Sequence, residues 1–152
     1  MPDWPKVTWV LDNASYLIVG AWAGRGPSYD APTLEPALRQ ASQHVHAALL
    51  LADSGFDSEK NHRIAREECG IGRTLIALNS RGHPGAPQTR YRRQMHRRPG
   101  RRLYGQRWQI EGGVSQHKRR LGSALRTRRP EAQHRECLLR VLVHDLALIA
   151  SA

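Results

Sequence analysis

Tyr104, Arg107, Glu111 and Lys118 stand at spacings of 3, 4 and 7 within one stretch, YGQRWQIEGGVSQHK. On a helix these spacings put all four side chains on one face. A carboxylate ringed by two cations and a phenol is an odd stripe to bury. It is a sensible surface for a metal ion beside a phosphodiester. Hard cations prefer carboxylate and phosphate oxygens. Arg suits bidentate phosphate contact, and Lys acts as a point charge. A second acid, Asp53, ends the apolar run VHAALLLA. Each residue also has an ordinary reading. Asp53 can be a loop acid or helix cap, and Tyr104 can be core. Glu111 can simply pair with Arg107 at i−4, worth about 0.3–0.5 kcal/mol if exposed.

Regular elements have to hold these positions. Lys6–Asp12 and Tyr16–Ala23 are apolar and rich in β-branched and aromatic residues, divided by Asn13-Ala14-Ser15, which predicts a β-hairpin. Gly24–Pro32 is turn chemistry. Thr33–His44 predicts a helix, with Leu34, Leu38 and Ala41 near helical spacing. The continuous run Val45–Ala52 predicts a strand buried on both faces. Ser58–Cys69 predicts a polar helix with Ile64 and Ala65 facing in and Gly70 and Gly72 at its end. Arg73–Leu78 is the next strand, and strand, helix, strand implies a right-handed parallel crossover. After Asn79, residues 80–100 read as an exposed basic loop with at most one short helical turn. Arg101–Leu125 predicts a helix, which Gly112-Gly113 weakens by about 1 kcal/mol each relative to Ala. Arg126–Arg129 is a basic link. Pro130–Ser151 predicts a final helix with Leu138, Leu142, Leu146 and Ile149 on one stripe. The order β-β-α-β-α-β-α-α makes an α/β layer fold with a mixed sheet.

The 152 residues fit a single domain that hides roughly two-thirds of its unfolded surface. The net charge is +11, from 24 Lys/Arg and 13 Asp/Glu. It is concentrated: residues 90–129 hold 14 Lys/Arg and one acid, Glu111, a local charge of +13 against −2 elsewhere. Arg90–Arg102 alone reads as solvated surface, but this imbalance is too large for a solubility device. A near-neutral body with one very basic segment points to a polyanion partner, most simply nucleic acid. No apolar run reaches the ~18–20 residues of a membrane span, and the first residues lack a signal-peptide layout. Cys69 and Cys137 make no disulfide framework, fit a reducing cytosol, and supply no Cys-based zinc site on their own. The eight histidines show no paired-ligand spacing; His62 and His117 are nearest the candidate site. Asp57 and Glu59 read as caps of the following helix, and Trp108 and Leu121 as core.

The pattern Y-x2-R-x3-E-x6-K resembles, position for position, the signature of bacterial insertion-sequence transposases with an Asp-Asp-Glu (DDE) active site. Leu51–Glu59 looks like that family's segment with the second catalytic Asp, Gly26–Asp30 like its turn, and Lys118–Gly122 follows the Glu as it does there. The resemblance covers nearly the whole chain. It implies a ribonuclease-H-like mixed sheet flanked by helices, with Asp53 in the second catalytic position and Glu111 in the third, 58 residues on. It implies Mg²⁺ (or Mn²⁺) at Asp53 and Glu111, as two ions about 3.5–4 Å apart in the intact site. The reaction implied is phosphodiester cleavage and strand transfer at transposon ends. Tyr104, Arg107, Lys118, Arg119 and Arg120 would contact DNA. The implied setting is a bacterial cytoplasm at the nucleoid, with transposon-end and target DNA as partners, no membrane, and a homodimer in the intact family.

The match fails at the first carboxylate. The hairpin Lys6–Ala23 looks like the family's second and third strands, so the first strand, its Asp and the N-terminal DNA-binding region are expected to be missing. Asp12 is the only nearby stand-in. With two of three carboxylates the ions are held loosely, and the chain alone is expected to cleave little or no DNA. Strand edges are expected to lie unpaired, one beside Val45–Ala52, with marginal stability and poor solubility. The competing reading is a non-catalytic basic DNA-binding remnant whose acids are fossils. An RNA-binding protein ranks last, because no paired-aromatic RNA-recognition signature is present.

Overall fold

A computed structural model describes residues 4–80 and 85–152. Among the described residues, four strands and six α-helices follow the order the sequence predicts, with one helix added in the basic segment and the predicted Arg101–Leu125 helix divided in two. β1 (Pro5–Leu11) and β2 (Ile18–Arg25) form an antiparallel hairpin. Asp12 tightens its turn: Oδ2 accepts the Ser15 N–H at 2.8 Å and the Ser15 hydroxyl at 2.6 Å. The stand-in carboxylate is therefore engaged in the turn. α1 (Ala31–Ser42) buries Leu34, Ala37, Leu38 and Ala41 on one face. Gly20 of β2 lets that face come close, since a Cβ there would strike the Ala37 carbonyl oxygen.

β3 is shorter than its apolar run, Leu49–Ala52, and pairs in parallel with β4 (Arg73–Ile76). Between them lie a 3-10 turn, Ser54–Phe56, and α2 (Glu59–Arg63), which continues as a π-helical turn over Ile64–Glu68. Ser58, not Asp57, caps α2, accepting the Asn61 N–H at 3.0 Å. Leu34, Leu38, Leu50, Ile64, Ala65 and Ile71 form the core.

Residues 81–84 of the expected basic loop lie outside the described residues. The rest is not simply an exposed loop. α3 (Arg90–Arg97) buries Tyr91 and Met95, an i,i+4 pair on one face. α4 (Arg101–Tyr104), a 3-10 turn (Gly105–Arg107) and α5 (Trp108–Leu121) follow. The predicted helix thus changes pitch at Tyr104-Gly105 and stops at Gly122, where φ is 80°. Gly113 lets α5 meet β1: a Cβ there would lie 3.0 Å from both Leu11 methyls.

α6 (Pro130–Ile149) corrects the expected stripe. Leu138, Leu142, Leu146 and Ile149 are exposed, and Cys137, Arg140 and His144 are buried instead. Polar anchors set this face. Arg140 donates to the Gly122 and Ala124 carbonyls, and Asp145 accepts the Ile18 N–H at 2.9 Å. Trp108, expected in the core, is 61% exposed.

The expected single mixed sheet is instead two two-stranded sheets, because no described strand joins β1 to β3. The architecture is α/β, with helices on both faces of the hairpin. Strand alternation shows it: Thr8 bonds Thr33 of α1, whereas Trp9 packs on His117 of α5.

Candidate active site

Asp53 follows β3 directly, at the C-terminal end of the parallel pair. Ligands of open α/β sheets gather at that end. Its Oδ1 accepts the Ser54 N–H at 2.6 Å and caps the 3-10 turn. Gly55 keeps the turn tight against Asp30, whose carboxylate lies 2.7 Å from where a Cβ would stand. The other carboxylate, Glu111, sits in the first turn of α5.

Arg107 joins them. Nη1 lies 3.8 Å from Asp53 Oδ2, and Nη2 lies 3.7 Å from Glu111 Oε1. Both distances are too long for hydrogen bonds, so these are loose ion pairs. Both carboxylates are open to solvent, at 59% and 69% side-chain exposure, whereas Arg107 is at 31%. The Arg107 guanidinium also lies over the Tyr104 ring, 5.8 Å from its centre. Burial raises the Tyr104 phenol above its ordinary pKa, and Asp53 adds to the rise against the opposing pull of Arg107. The phenol therefore stays a neutral donor.

The structure thus gathers Asp53, Tyr104, Arg107 and Glu111. Lys118, Arg119 and Arg120 stand apart, exposed in the last turn of α5. None of the three forms an ion pair among the described residues. No group of three or more His, Cys, Asp or Glu converges as metal donors among the described residues. His62 and His117 face elsewhere. His62 is fully buried and bonds the Thr74 hydroxyl at 2.7 Å; His117 packs on Trp9 and His144. Burial lowers both imidazole pKa values, that of His117 to about 4.

Asp57 and Glu59 have a role that their sequence neighbourhood does not show. Asp57 is fully buried, and both of its oxygens accept from Arg92 Nε at 3.0 Å. Glu59 accepts the Tyr91 and Arg92 N–H groups and so caps α3 rather than α2. The two acids clamp the basic helix to the body across more than 30 residues. Arg92 gives no sequence signal, because it is one arginine among many.

Arg107 thus loosely bridges an exposed carboxylate at the parallel-strand end and another on α5, beside a basic surface. A family model described as the transposase DDE domain matches residues 6–146. The chain belongs to the transposase DDE-domain family. No curated protein and no solved structure matches it.

Proposed function

We propose that this site directs metal-dependent phosphodiester cleavage and strand transfer on DNA at transposon ends, within a ribonuclease-H-like arrangement. One observation carries the reading: Arg107 bridges Asp53 and Glu111, two acids far apart in the chain. Family membership supports DNA as the substrate. The open, all-oxygen donor set fits Mg²⁺, which is usually held by one or two carboxylates together with water and substrate phosphate. Asp53 and Glu111 would hold it. When bound, such an ion polarises a phosphoryl oxygen and activates a water or hydroxyl.

The chain's own residues do the rest. Arg107 turns its guanidinium to a phosphate oxygen, and Tyr104 donates its phenol proton to another in a hydrogen bond. Lys118, Arg119 and Arg120 hold the backbone by charge. Two carboxylates grip the ion weakly, so this chain cleaves slowly at best.

A second reading rests on the exposed arginines of α3 and α4: these bind DNA by charge and no metal takes part. Mn²⁺ titration followed by electron paramagnetic resonance, with nicking of supercoiled plasmid, separates the two. The site reading expects weak Mn²⁺ binding and slow nicking, both lost in Asp53→Asn and in Glu111→Gln. Mn²⁺ binding unchanged by both substitutions overturns it. DNA binding that ignores Mn²⁺, with log K falling by about 0.9 per phosphate neutralised as log salt rises, supports the second.

A further inference from the structure

At the end of the hairpin away from its turn, Trp22, Arg25, Pro27, Tyr29, Pro32 and Thr33 line a cleft of about 770 Å³. Trp22 is the register partner of Thr8, which bonds Thr33, so its indole lies on the α1 side of the hairpin. Gly24 makes room for that ring: a Cβ there would stand 2.2 Å from the indole. The ring therefore reaches along the strand into the wall of the cleft.

Tyr29 is 89% exposed, so its ring has almost no packing within the fold. Its backbone is fixed on both sides all the same. Lys6 donates to the Ser28 carbonyl at 2.5 Å and pairs with the Asp30 carboxylate at 2.5 Å. The Thr33 N–H and hydroxyl both donate to the Asp30 carbonyl. The same loop is tied to the Asp53 turn. Asp30 packs on Gly55, two residues after Asp53. Asn61 bridges the two segments, donating to the Ala31 and Phe56 carbonyls at 2.9 and 2.8 Å.

The chemistry of the walls selects the occupant. The described residues lining the cleft include no acid, and Arg25 supplies a cation held by Gln133 at 3.2 Å. The adjacent carboxylate, Asp30, is neutralised by Lys6. Aromatic rings with a cation among them suit nucleobases, because every base has a π-face and its backbone carries phosphate. A base paired within a duplex is already stacked on its neighbours, whereas an unpaired base has a face to offer. A proline-rich peptide also packs on aromatic rings, but it brings no negative charge to Arg25.

We infer that this cleft takes an unpaired nucleobase of the DNA strand held at Asp53, stacked on Tyr29 and Trp22. The inference rests on the DNA reading proposed above and names a second contact for that substrate.

The probes are two fluorescein-labelled duplexes of one sequence, one blunt and one with a single-stranded tail carrying aminopurine. Each is titrated with the full chain, with no divalent ion present. Anisotropy reads affinity, and aminopurine quenching reads stacking. The tailed duplex is expected to bind more tightly than the blunt one, with quenching. Tyr29→Ala is expected to weaken the tailed duplex by about fivefold to a hundredfold, the effect of losing one stacked base. It leaves the blunt duplex unchanged and abolishes quenching, whereas Tyr29→Phe keeps both. Tyr29 is exposed, so its removal leaves folding undisturbed. Equal binding of the two duplexes, quenching that survives Tyr29→Ala, or capture of a polyproline peptide in place of the tail overturns the inference and leaves DNA standing as substrate. Failure of both duplexes to bind overturns the DNA reading with it.

Discussion

Arg107 holds one positive charge between two carboxylates and so stands where a cation is wanted. Its charge repels an incoming divalent ion. At about 4 Å in water two unit charges interact by about 1 kcal/mol, and a divalent ion doubles that. Arg107→Gln is therefore expected to tighten Mn²⁺ binding by up to about thirtyfold, less the salt screening of an exposed site. The same substitution weakens DNA binding, which a paired metal and DNA titration reads. His117 carries the clearest pH dependence. Burial is the main cause of its low pKa of about 4, with His144 and Arg140 adding to it. Unfolding returns it to about 6.5, so the unfolded chain binds the proton first. Stability is full above about pH 6.5 and falls as pH drops towards 4. Urea melts at pH 7 and pH 4.5 are expected to differ, and His117→Phe to flatten part of that difference.

Between elements, the buried Asp57–Arg92 pair ties α3 to the end of β4. Asp57 also accepts the Asn79 N–H at 2.8 Å, and Arg92 donates to the Asn79 carbonyl. Removing Arg92 leaves the fully buried Asp57 charge without its cation. Arg92→Met is expected to cost about 3–5 kcal/mol in urea unfolding. Asp57→Leu with Arg92→Met together is expected to cost less than either alone, because an apolar pair leaves no charge unpaired. Equal costs for single and double variants would show that the clamp is not electrostatic.

At the scale of the whole molecule, two features oppose stability. The sheet is split into two pairs, and α6 turns a leucine stripe to solvent, with Leu142 at 53% and Leu146 at 55% exposure. Exposed apolar stripes of this kind promote association. Leu142→Lys with Leu146→Lys is expected to raise the soluble fraction while changing stability by no more than about 0.5 kcal/mol per site. The chain itself is expected to melt below about 65 °C, the upper end of ordinary domains. A calorimetric transition well above that would show that the split sheet is no weakness.

Local pattern determined a good deal. β-Branched and aromatic enrichment on either side of Asn13-Ala14-Ser15 marked the hairpin, helical spacing marked α1, and the apolar run before Asp53 marked β3 and the acid at its end. Arg107 and Glu111, four residues apart, were legible as neighbours for the same reason. These signals are local because side-chain period follows backbone period. Tertiary structure alone decided the rest. It brought Asp53 to Arg107, 54 residues on, and chose Arg140 and His144 over the leucines of α6 as its inner face. It also turned Asp57 inward to Arg92. Each of these depends on a partner distant in the chain, where burial and charge pairing outweigh local pattern, and no spacing rule encodes which partner that is.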